Sequence, residues 1–210
     1  MSKPFEKTGN TSPTGIGTLP RSRAITAAAV FAALAIILHT SPLKIPAPYA
    51  PFLIYELWEI PIIAAFFLYG ARLGISVAII NFLSLMIIFP GQIQSGPIYN
   101  LIAIFSMMLG ILLAYRMAGL SSRLHSNAWL FWLALILGVS ARVAVMTVVN
   151  VLLLPMPPPL GFSIPFEAIP AMLPLLAIFN SSVTLYTIPI ARAVTTAVSS
   201  TTRIPARYGR

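Results

Sequence analysis

The sequence predicts an all-α integral membrane protein with six transmembrane helices and both termini in the cytoplasm. Three observations predict it. The 210 residues are 58% hydrophobic and only 8% charged, against roughly 25% charged in a soluble domain. The apolar residues fall into runs of membrane-spanning length, about 20 residues each. The basic residues concentrate on one side of those runs.

The runs, in order, are 24–40, about 52–70, 72–89, 97–118, 129–153 and about 168–196. Pro90-Gly91 ends the third and Pro155 the fifth. Pro97 opens the fourth, where its missing N–H costs nothing. Pro170, Pro174 and Pro189 fall in the sixth and are expected to bend it. Spans two and three are separated only by Gly-Ala-Arg-Leu-Gly, residues 70–74.

With six spans, eleven Lys and Arg residues lie on one side, at both termini, at Arg72 and around Arg116 and Arg123. Lys44 alone lies on the other side, and Arg142 lies inside a span. The net charge of +9 is therefore a positive-inside signal rather than a nucleic-acid footprint. Residues 1–21 are expected to be a disordered cytoplasmic tail, 22–198 the six-helix domain, and 199–210 a basic cytoplasmic tail. The opposite, outer side then holds His39, the Pro-rich stretches 41–52 and 155–170, and many aromatics. Tyr and Trp there form interfacial belts without any ligand. Stiff Pro-rich loops would also make a pre-shaped lid.

Polar residues inside apolar runs mark the candidate site. Arg142 lies near the middle of span five, where an unpaired charge costs roughly 3 kcal/mol or more. It must face the bundle and find a partner. Thr147 and Asn150 follow on the same stripe. Asn81 and Ser84 fall in span three, Asn100 near the outer end of span four, and Asn180 with Ser181 and Ser182 in span six. Such groups either bond neighbouring helices or contact a ligand. Glu56 and Glu59, two of only four carboxylates in a chain without Asp, are one helical turn apart at the head of span two. They are either a capping pair at a helix N-terminus, or one of them binds substrate or balances Arg142. Ala24, Ala28 and Ala32 form a small-xxx-small stripe on span one, as do Ala29 and Ala33, suited to close helix packing within the fold or to a partner.

Much familiar chemistry is absent from the sequence. There is no Cys, hence no disulfide framework or thiolate site. No P-loop, HExxH or GxSxG motif occurs, and the two His residues lie at opposite membrane faces. No enzyme activity, metal site or cofactor is expected.

The stretch YELWEIPIIAAFFLYGARLG (55–74) resembles the acidic-x-x-acidic-Ile-Pro segment of energy-coupling factor (ECF) transporter S components, above all the riboflavin-type ones. GPIYNLIA (96–103), ARVAVMTVVNVLLLP (141–155) and LPLLAIFNSSVTL (173–185) resemble the fourth-, fifth- and sixth-helix patterns of the same family. The resemblance covers about residues 22–195. It implies an S-component-like bundle that captures a vitamin, riboflavin or a related micronutrient, at the outer face. It further implies a membrane T component and two cytoplasmic ATPases as partners, with Ala28 and Ala32 as the docking surface. Two positions depart from the riboflavin-type pattern: no Lys follows Asn180, and no acidic residue follows Gly96.

The candidate substrate-binding residues are Asn100, Arg142, Asn150, Asn180, Glu59 and Tyr55. Aromatic rings would stack on a planar heterocycle, and Asn side chains would supply donors and acceptors to its edge. A stand-alone secondary transporter, with Glu59 or Arg142 coupling an ion, is the alternative. A scaffold that uses the Ala face alone is a third reading.

Overall fold

Six α-helices and one β-hairpin make up the computed structural model, which describes residues 21–88, 95–120, 127–202 and 206–208. In chain order these are α1 (Arg21–Thr40), β1 (Ile45–Ala47), β2 (Ala50–Tyr55), α2 (Glu59–Tyr69), α3 (Ala71–Ile88), α4 (Ser95–Leu120), α5 (Asn127–Leu153) and α6 (Ile169–Thr202). A single 3-10 turn, Phe166–Ala168, leads into α6. The N-terminal tail expected over 1–20, and the segments 89–94, 121–126, 203–205 and 209–210, lie outside the described residues.

The expectation of six spans needs correction at the second. Among the described residues, five helices are long and apolar enough to cross a membrane, and α2 is not one of them. Its 11 residues rise about 16 Å, half of a hydrocarbon core of about 30 Å. The apolar run from 52 includes strand β2, and helix begins only at Glu59. The sequence gives a reason: Pro46, Pro48 and Pro51 hold the chain extended. β1 and β2 pair antiparallel, Ile45 opposite Tyr55 and Ala47 opposite Ala50, with an irregularity between Pro46 and Ala47.

A helix that short survives at membrane depth only because protein encloses it. Residues Glu59 to Leu68 are all buried, against α1, α3 and α6. Gly70 breaks the chain between α2 and α3 with φ of 93°, a left-handed conformation suited to glycine. Its N–H donates to Phe66 O at 2.8 Å.

Beyond Gly70 the C-terminal segment closes the end of α2. The N–H groups of Arg207 and Tyr208 donate to Phe67 O at 3.0 and 2.8 Å, satisfying a helix-end carbonyl that α2 leaves open. The Tyr208 ring stacks on Phe66 at 5.3 Å and tilts against Tyr115 of α4 at 4.7 Å. Two parts of the expected basic tail, 199–210, are ordered. Ser199 to Thr202 continue α6, and 206–208 are docked. Arg21, placed in the N-terminal tail from sequence, is the first residue of α1.

α4 and α5 cross at backbone contact. A Cβ on Gly110 would lie 2.2 Å from Leu137 O and 2.8 Å from Gly138 Cα, so only glycine fits there. α6 runs 34 residues with Pro174 and Pro189 inside. Each proline removes one intrahelical hydrogen bond.

Candidate functional site

At the hairpin end of the bundle, a cavity of about 600 Å³ opens between β2, α4, α5, α6 and the segment that follows α5. Three features of the chain build it. The hairpin brings Phe52 and Ile54 over one side. α4, α5 and α6 meet at their hairpin-side ends but leave space between them. Residues 154–164 fold back over α5, with the N–H groups of Phe162 and Ile164 both donating to Leu154 O at 3.2 and 3.1 Å. Gly161 allows that turn, because a Cβ there would lie 2.0 Å from Leu153 O. Phe162 and Ile164 thereby become cavity wall.

Arg142 dominates the polar side. It is 3% exposed and holds Glu59 in a bidentate pair, Nη1 to Oε2 at 2.5 Å and Nη2 to Oε1 at 2.8 Å. Its Nε donates to Asn180 Oδ1 at 3.0 Å. A guanidinium carries five N–H donors, so this frame uses three and leaves two. Asn180 is fixed in turn by Nδ2 donating to Leu176 O at 2.8 Å. The result ties α2, α5 and α6 together beside the cavity. It also removes the hydrogen-bond frustration of a buried charge.

Other polar groups at the cavity are left without protein partners. Asn150 is 3% exposed and lines the cavity, and none of the side-chain hydrogen bonds among the described residues involves it. Asn100 also lines the cavity and is equally unengaged. The buried Tyr99 hydroxyl has no partner, and its ring meets Phe162 edge-on at 5.9 Å. A buried polar group with no partner costs about 1–3 kcal/mol; the Tyr99 hydroxyl is such a group, and with the unengaged Asn100 and Asn150 amides on the same wall it makes a neutral polar set suited to the edge of a ligand.

Not every residue singled out from sequence reaches this chamber. Asn100, Arg142, Asn150 and Asn180 line it together. Glu59 stands behind Arg142 rather than in the wall. Tyr55 is outside the lining. Its hydroxyl bonds Tyr49 and Ser182, each at 2.7 Å, and its ring packs on Phe179 at 5.0 Å, so it braces the hairpin against α6. Glu56 and Glu59 do not share a helix face as their spacing had implied, because Glu56 precedes α2. Glu56 pairs with Lys44 at 2.9 Å and lies 4.0 Å from His39. Its carbonyl accepts from Tyr186 Oη at 2.6 Å.

Ala32 is buried in the core, and Ala28 packs against that core from α1. The stripe named from sequence therefore faces the bundle. Ala29 and Ala33 are the small residues on the exposed side of α1. Among residues the sequence reading passed over, Met146, Phe179 and Met172 complete the apolar wall. Met146 lies four residues from both Arg142 and Asn150, so helical spacing alone would have found it.

No family model and no curated protein matches this sequence. A search of solved structures does find a match, the S component of a bacterial ECF transporter. The TM-score is 0.65 at 22% identity, covering 85% of this chain and 99% of that one. The fold is that of an S component. At this identity the likeness is one of architecture: the all-helical S-component-like bundle expected from the sequence is found, with the hairpin and short α2 in place of its second span.

Proposed function

We propose that this chain is the substrate-binding S component of an ECF-type importer, capturing a vitamin, riboflavin or a related micronutrient, at the outer face of the cell membrane. The observation that carries the reading is the chamber at the hairpin end, with Asn100, Asn150 and Tyr99 unpartnered on a largely apolar wall beside Arg142 and Asn180. A planar heterocycle matches it: rings stack on Phe52, Phe162 and Phe179, and edge groups bond the amides. Both termini lie in the cytoplasm, where eleven basic residues gather. The hairpin end then faces outward. Transport needs a membrane T component and two ATPases, and the face of α1 carrying Ala29 and Ala33 is the side open to such a partner.

The test is vitamin uptake in cells that lack their own importer. Uptake that appears only when a T component and its ATPases are co-expressed, and that stops with an ATPase-dead variant, supports the reading. Uptake by this chain alone, abolished by collapsing the proton or sodium gradient, would make it a secondary transporter instead.

A further inference from the structure

Among the described residues, every formal charge that faces the chamber is neutralised by the protein itself. Arg142 lines the wall, but its charge is matched by Glu59 directly behind it. Glu56 also lines the wall, and Lys44 of the β1 approach neutralises it from outside at 2.9 Å. The polar groups left over, Asn100, Asn150 and Tyr99, are all neutral. An anion entering the chamber would meet an Arg142 whose charge Glu59 already matches, with two N–H donors left, and could take the full charge only by displacing Glu59. A cation would compete with Lys44 for Glu56 or with Arg142 for Glu59. Separating Arg142 from Glu59 strands a buried charge, whereas displacing Lys44, which is partly exposed, leaves a charge that water screens.

We propose that the chamber selects ligands without net charge, and that Glu59 and Lys44 are the residues that impose this selection. The inference rests on the capture reading above and narrows its substrate class. Glu59 excludes anions by occupying Arg142, and Lys44 excludes cations by occupying Glu56. Neither residue needs to touch the ligand. Specificity arises from the penalty on the wrong ligand rather than from an added contact with the right one. Lys44 is 41% exposed, so its effect is the weaker and more salt-sensitive of the two.

The experiment is a binding panel on the full chain in mild detergent, using matched pairs that differ chiefly in charge: riboflavin and its 5′-phosphate, nicotinamide and nicotinate, pyridoxine and its phosphate, with thiamine as the cation. The wild-type protein should bind at least one uncharged member and hold its anionic counterpart about 100-fold or more less tightly. Glu59→Gln should shrink that gap by freeing Arg142. Lys44→Gln, at an exposed position that does not threaten folding, should admit thiamine where the wild type does not. Preference of the wild type for a charged member overturns the charge selection while leaving capture intact. Discrimination that neither substitution alters removes Glu59 and Lys44 from the role. Failure of the folded wild type to bind any member overturns the capture reading together with the inference built on it.

Discussion

Replacing Glu59 with Gln tests the frame that holds the chamber open. The substitution keeps the volume and one acceptor but removes the negative charge. Arg142 then stays buried, its charge answered only by Asn180 Oδ1. Two estimates of the cost agree. At roughly 4 Å between charge centres and an effective dielectric of about 20, the lost attraction is about 4 kcal/mol. Breaking a buried pair by removing one partner costs about 3–5 kcal/mol in general. The assay is unfolding of the ligand-free protein in mixed micelles, followed by circular dichroism. Glu59→Gln should lose about 3–5 kcal/mol, whereas Glu59→Met with Arg142→Met should recover most of it, because an apolar pair leaves no stranded charge. A single-variant loss under about 1 kcal/mol, or simple additivity in the double variant, would refute the idea that this pair acts as a unit.

Asn150→Ala should weaken ligand binding by about 1–3 kcal/mol, roughly 5- to 150-fold, with little change in ligand-free stability, as measured by titration calorimetry and thermal unfolding. Tyr99→Phe removes a buried hydroxyl that has no protein partner, so the melting temperature should hold or rise while affinity falls. Gly110→Ala would set a Cβ 2.2 Å from Leu137 O and should lower stability by about 1–3 kcal/mol or more by forcing α4 away from α5. Tyr208→Ala removes two ring contacts at the foot of α2 and should cost about 1–2 kcal/mol, visible as a lower melting temperature.

The helices other than α2 were legible because run length and hydropathy suffice where lipid is the solvent. α2 was not. A buried 11-residue helix and an apolar strand read alike to a method that counts apolar residues, so 52–58 merged with 59–69. The density of Pro46, Pro48 and Pro51 was the available signal for extended chain. Arg142, Asn150 and Asn180 stood out because a polar group in an apolar helix demands a reason. Their division of labour did not. Asn180 orients Arg142 while Asn150 stays unengaged, and that distinction depends on how α5 and α6 are set against each other. Tyr55 and Phe52 were equally prominent aromatics near the outer loop. In the folded hairpin Phe52 lines the chamber while Tyr55 bonds Ser182. The docking of Tyr208 joins residues about 140 positions apart in sequence, and no local pattern announces it.

The most direct measurement is to purify the full chain in mild detergent, release any bound small molecule, identify it by mass spectrometry and titrate it back. The account predicts a heterocyclic micronutrient that rebinds at one site, with affinity reduced in both Asn150→Ala and Tyr99→Phe. A folded protein that carries nothing and ignores a vitamin panel would contradict it, as would a ligand whose affinity neither substitution changes.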